Sequence, residues 1–237
     1  MLKITKYIII LIFLLANSYS VAQNRKKPQN LVRYDFQKIH FGFTLGMNEL
    51  NFNLKENSNI LTNDSLINLL SKSQKGFNLG IVSNLRIGKY SDLRFIPTLV
   101  FGERHLNYKF IDTNQVSTNE IKRIESTLID FPVYIKYKSA RYNNFRTYVL
   151  CGIKYSLDIA SQDEINDEGK EIIKLKKNDI LGEIGFGIDY YLEYFKFSPQ
   201  IKLSHGILNI LSKGESVYSS SLNRLNTTGW MLSFTFE

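Results

Sequence analysis

Apolar and polar side chains alternate one for one through eight stretches of the chain. In 93–101, Leu93, Phe95, Pro97, Leu99 and Phe101 fall on one face, with Arg94, Ile96, Thr98 and Val100 on the other, and this strand is expected to continue to Phe110. In 127–137, Ile129, Phe131, Val133 and Ile135 oppose Asp130, Tyr134 and Lys136. In 145–159, Val149, Cys151, Ile153, Tyr155 and Leu157 oppose Arg146, Gly152, Lys154, Ser156 and Asp158. Successive side chains of a strand point to opposite faces, so period-two alternation predicts strands with one apolar and one charged side. Similar alternation over 39–48, 76–88, 179–191, 195–205 and 229–236 brings the expected count to eight. The connections alternate long and short. Glu49–Lys75, Ile111–Ile121, Ala160–Asn178 and Gly206–Thr227 are long and polar, the first with a helical turn expected around Ser65–Leu70. Lys89–Asp92, Ser139–Asn144 and Leu192–Tyr194 are short turns.

This rhythm predicts an all-β fold, an eight-stranded antiparallel up-and-down transmembrane β-barrel with four long extracellular loops. Tyr90, Tyr137, Tyr142, Tyr190, Tyr191, Tyr194 and Phe195 gather near the short turns, where an interfacial girdle is expected. In such a barrel the apolar face meets lipid and the polar face fills a narrow interior. Arg94, Asp130, Lys136, Arg146, Lys154, Asp158, Glu183 and Lys202 are therefore the candidate interior network, since buried charges must be paired. Thr227, Gly229, Leu232, Phe234 and Phe236 follow the polar-x-Gly-x-x-apolar-x-apolar pattern of an outer-membrane assembly signal. Pro97, Pro132 and Pro199 fall within expected strands, where a closed barrel has no edge for a missing donor, so bulges or strand ends are expected there.

Composition adds an address. Lys3 and Lys6, the apolar run Tyr7–Ala16 and the small-x-small site Ser20-Val-Ala22 read as a signal peptide over residues 1–22. Its removal takes two lysines and no acids, lowering the net charge from +8 to +6. Residues 23–37 form an exposed basic arm, and 38–237 the barrel. Residue 23 is Gln, so no lipid anchor is expected; export and outer-membrane localisation are. The single cysteine excludes an internal disulfide. His40, His105 and His205 show no catalytic spacing, and Gly182-x-x-Gly185-x-Gly187 lacks the order of a phosphate loop. Asp163–Glu168 is acidic without EF-hand spacing. No cofactor, metal or catalytic residue is expected, and no dense basic patch interleaved with aromatics points to nucleic acid.

Five strings carry a resemblance: Lys38-Ile-His-Phe-Gly-Phe43; Arg94-Phe-Ile-Pro-Thr98 with Phe101-Gly-Glu-Arg-His105; Ser126-Thr-Leu-Ile-Asp-Phe-Pro-Val-Tyr-Ile-Lys-Tyr-Lys-Ser139; and Gly152-Ile-Lys-Tyr-Ser156. Together they resemble the PorT family of outer-membrane barrels of Bacteroidota, although Asp130-Phe-Pro-Val133 alone is common among barrels of that phylum. The resemblance implies a non-enzymatic component required for type IX protein secretion, and for gliding in some relatives. Its implied partners are other secretion-system proteins of the outer membrane or periplasm, besides outer-membrane lipid. It implies no catalytic residues. Adhesion or small-molecule passage is the alternative role, and a rim enzyme or a soluble ligand-binding barrel are further ones.

Overall fold

The computed structural model describes residues 28–56, 66–111, 117–161, 174–212 and 222–237. The leader expected over 1–22 and the acidic run 163–168 lie outside them. Nine strands form one antiparallel sheet: β1 (Ile39–Glu56), β2 (Leu66–Arg86), β3 (Ser91–Phe95), β4 (Thr98–Ile111), β5 (Ser117–Lys138), β6 (Phe145–Asp158), β7 (Asn178–Tyr191), β8 (Lys196–Gly206) and β9 (Leu222–Phe236). β1 pairs with β2 on one side and with β9 on the other, which closes the sheet into a ring.

The ring has eight staves, because β3 and β4 are one stave with a gap. On β2 they share a single register (Ser83 opposite Phe95, Gly80 opposite Thr98), and likewise on β5 (Val133 opposite Phe95, Asp130 opposite Thr98). Two prolines account for the gap. Ile81 donates to Pro97 O at 3.0 Å, and Ile96 donates to Pro132 O at 3.4 Å. Neither proline has an N–H to return, so adjacent seams each lose a bond at the same level. Pro97 thus sits at a strand end. Pro132 lies inside β5 without a register shift, and at Pro199 the β7–β8 ladder skips from Gly187–Gln200 to Tyr190–Phe197.

The burial pattern is that of a barrel in hydrocarbon. Ile153 is 62% exposed, while Arg94 and Lys136 are fully buried. Phe95, Phe131, Val133, Ile135 and Val149 belong to one outward apolar belt. A surface of this extent suits lipid, and a lumen this narrow is filled by side chains.

Three loop expectations need correction. β1 runs to Glu56 and β2 starts at Leu66, so most of the expected Glu49–Lys75 loop is a two-stranded projection, and strand replaces the helical turn at Leu66–Leu70. β5 starts at Ser117, inside the expected Ile111–Ile121 loop, and β9 starts at Leu222, inside Gly206–Thr227. The cause is a reversal of the two faces partway along the strands that project. In the lower part of β1 the outward residues are Phe41, Phe43, Leu45 and Met47; in the upper part the inward ones are Leu50, Phe52 and Leu54. In β1 parity is kept, because the β1–β9 register runs unshifted from Phe43 to Lys55; in β2 the register shifts between Ser73 and Phe77, so that Leu69 faces inward and Leu70 outward. The outside passes from hydrocarbon to water, and the apolar side chains move to the interior accordingly. β4 does the same, with Phe101 outward and Leu106 and Tyr108 inward.

Candidate functional site

Three layers fill the lumen. The middle layer centres on Lys154 of β6, whose ammonium lies 3.0 Å from Asp130 and 2.9 Å from Glu183. Ser156 donates to Asp130 at 2.6 Å and Ser204 to Glu183 at 2.6 Å, while the Tyr134 hydroxyl donates to Glu183. Lys202 donates to Tyr134 at 3.4 Å. Nearer the short turns, Lys136 binds both oxygens of Asp189 (2.9 and 2.8 Å), and Ser198 donates to the same carboxylate at 2.6 Å. Two inward tyrosines find room over cross-strand glycines: Tyr134 opposite Gly152, and Tyr148 opposite Gly187. A β-carbon on Gly187 would collide with the Tyr148 ring, and one on Gly152 with Val133 O and the Tyr134 ring.

At the short-turn end the arm closes the mouth. Residues Tyr34–Phe36 form one 3-10 turn that lies against the barrel, which corrects the expectation of an exposed arm for this part of it. The Tyr34 ring stacks on inward His40 with centroids 3.8 Å apart, and its hydroxyl donates to Glu237 at 2.8 Å. Glu237 also pairs with Arg94 and, at 2.8 Å, with Lys196. Asp35 pairs with Arg146 and, at 3.3 Å, with Arg141, and accepts from Tyr191 at 3.1 Å. Partial burial alone would push the Asp35 carboxyl up. The Arg146 charge and the hydrogen bonds from Arg141, Tyr191 and Arg146 override it and hold the group below its ordinary value.

At the long-loop end the plug is apolar. Phe52, Leu69, Leu106, Tyr108, Leu175, Ile210, Leu222 and Leu225 pack together inside the projecting strands. Arg104 lies under them, 4.1 Å from the Phe52 ring centre, and donates to Ser126 at 2.5 Å. A space of about 20 Å³ remains beside Arg104 and Asp179, room for a single water.

All eight candidate interior residues are buried, and the structure brings Asp130, Lys136, Lys154, Glu183 and Lys202 together as described. Two behave differently from a strand-to-strand network. Arg146 takes its partner from the arm, and Asp158 accepts from its own neighbour Ala160 N–H at 3.0 Å. Sequence reading missed Asp92, Lys138 and Glu237. Lys138 pairs with Asp92 at 2.6 Å, which also accepts from Asn84 at 3.1 Å. All three continue the inward parity of their strands past the last apolar residue, a signal that could have found them. Nothing in the sequence marked Asp35. Tyr191, expected in the girdle, faces inward on the parity of Asp189. Thr227 and Gly229 line the inner wall, whereas Phe234 and Phe236 stack outside on Phe197 (6.0 Å) and Phe43 (4.9 Å). His105 pairs with Glu103 at 2.6 Å and His205 is exposed half the ring away on β8. Among the described residues no group of three or more His, Cys, Asp or Glu could hold a metal ion.

Residues 21–212 match the model of a family described as outer membrane protein beta-barrel domain. Among solved structures, Neisserial surface protein A is 10% identical with a TM-score of 0.43, covering 84% of this chain and 98% of its own. OprG from Pseudomonas aeruginosa is 13% identical with a TM-score of 0.41, covering 82% and 92%. Ail of Yersinia pestis, solved with the heparin analogue sucrose octasulfate, is 13% identical with a TM-score of 0.35, covering 84% and 99%. No curated protein matches the chain.

Proposed function

The chain belongs to the outer membrane protein beta-barrel domain family and resides in the outer membrane, and from that premise we propose that it is a non-enzymatic docking component of protein secretion across that membrane, of the type IX kind that the PorT resemblance implies. The observation that carries this reading is the filled lumen. Arg94, Tyr134, Lys136 and Tyr148 are completely or almost completely buried at its centre, the arm closes one mouth and an apolar core closes the other. A barrel so plugged acts through its surfaces. Other secretion proteins would meet the projecting strands outside, or the arm and short turns on the periplasmic side.

Deletion of the gene and complementation with the wild-type chain test this directly, with type IX cargo measured in the medium. Loss of cargo on deletion, and recovery on complementation, is expected. Normal secretion from the deletion strain would sink the proposal. One observation favours a second reading, attachment to an anionic surface. Lys72, His105 and Arg123 stand directly opposite one another on three adjacent strands of the projection. Normal secretion combined with lost binding to a sulfated glycan would favour that reading.

A further inference from the structure

The periplasmic rim carries a pocket of about 310 Å³ between the β2–β3 turn, the β5–β6 turn and the arm. That volume is at the lower end of the range for small-ligand sites. Its walls hold five cations, Arg86, Lys89, Lys138, Arg141 and Arg146, against one acid, Asp35. Three of the five are already matched: Lys138 by Asp92, and Arg141 and Arg146 by Asp35. Arg86 gives its hydrogen bonds to two carbonyls, Gly88 O at 3.2 Å and Asp35 O. Among the described residues no carboxylate is paired with Arg86 or with Lys89, whose ammonium lies 5.3 Å from the Tyr90 ring centre. The pocket is therefore left with a surplus of positive charge.

Its surroundings identify the anion. Phe36 is 75% exposed at the pocket edge, and exposed Ile87, Tyr90 and Tyr137 continue from it into the apolar belt through Leu85, Leu93 and Ile135. The pocket thus sits where headgroups meet hydrocarbon, at the level of the aromatic collar. We propose that it holds the phosphate of an anionic glycerophospholipid from the inner leaflet, with Arg86 and Lys89 on the phosphate oxygens and the acyl chains along Leu85 and Ile135. A phosphate is the right match for two unpaired cations, one of them a planar guanidinium. A bound lipid would bridge the two turns and the arm and so fix the arm's position.

Native mass spectrometry of the detergent-purified full chain tests this, with short-chain phosphatidylglycerol, short-chain phosphatidylcholine and inorganic phosphate as probes. One phosphatidylglycerol per barrel is expected to be retained in preference to phosphatidylcholine. The Arg86→Gln/Lys89→Gln variant should bind it roughly thirtyfold more weakly, the scale of losing two cations at a membrane surface. Because Arg86 also touches the arm, exposed Lys89→Glu serves as a second variant, and heat-modifiable gel migration verifies that both are folded. Equal retention of the two lipids, or unchanged retention in folded variants, would overturn the proposal. So would binding of inorganic phosphate without lipid, since the anion would then come from solution.

Discussion

Lys154 holds two buried carboxylates at once, which makes it the residue whose loss the lumen tolerates least. Lys154→Met would leave Asp130 and Glu183 without their ion-pair partner, with Lys202 reaching the cluster only through Tyr134, and breaking a buried pair from one side costs roughly 3–5 kcal/mol. Adding Asp130→Asn and Glu183→Gln to the same chain should recover much of that loss, since the unpaired charges go with the lysine. Trp230, the sole tryptophan, faces lipid on β9 and reports folding into vesicles by its fluorescence, so urea midpoints of the two variants settle the comparison. Gly187 is the steric counterpart. Gly187→Ala places a methyl against the Tyr148 ring and should cost about 1–3 kcal/mol by overpacking. The same change at Gly182, where the space is open, should cost much less in the same assay.

Among elements, the arm is held by charge and the strands by their faces. Asp35 carries the arm, and its carboxyl is depressed below the ordinary 3.8, so its contribution is full above that value. The contribution is lost as pH falls through the depressed folded value and the carboxyl protonates. A spin label at Val32, in a chain with Cys151 replaced by Ala, should stay immobile from neutral pH down through 3.8 and gain mobility only below it. The Asp35→Asn variant should be mobile already at neutral pH; an immobile label there would mean that Tyr34 and Arg141 dock the arm without the carboxylate. The staves themselves were legible because Arg94, Lys136 and Lys154 sit one residue from Phe95, Ile135 and Ile153. Their upper ends were not. Phe52 and Leu225 sit on the same inner wall that carries Lys154 and Glu183 lower down, so a search for one sense of alternation stops where the solvent changes. The gap at Ile96–Pro97 was visible as a proline in a strand, but its depth depends on Pro132 lying at the same level in the next strand. That is a register fact, and single-strand patterns hold none. The pairing of Arg146 was illegible for a related reason, because its partner Asp35 lies 111 residues away in a segment with no periodicity.

At the scale of the whole barrel, the interior charges balance only when the arm and Glu237 are included. Among the described residues Arg94, Arg104, Lys136, Lys138, Arg146, Lys154, Lys196 and Lys202 point inward, against Asp92, Asp130, Asp158, Asp179, Glu183 and Asp189. Asp35 and Glu237 supply the two missing negative charges. A lumen with matched charges and side chains packed from wall to wall has no continuous water path, as expected for eight staves. Purified protein in a planar bilayer should therefore give no stable conductance steps. Replacing Tyr134 and Tyr148 together by Ala removes two of the largest side chains from the centre, leaving Lys154, Glu183 and Lys136 around a wetted gap. That variant should show small steps, and a further Asp35→Asn, which frees the mouth, should make them more frequent. Steps from the wild-type chain as large as those of the double variant would mean that the plug moves aside in the membrane. A passage role would then have to replace docking.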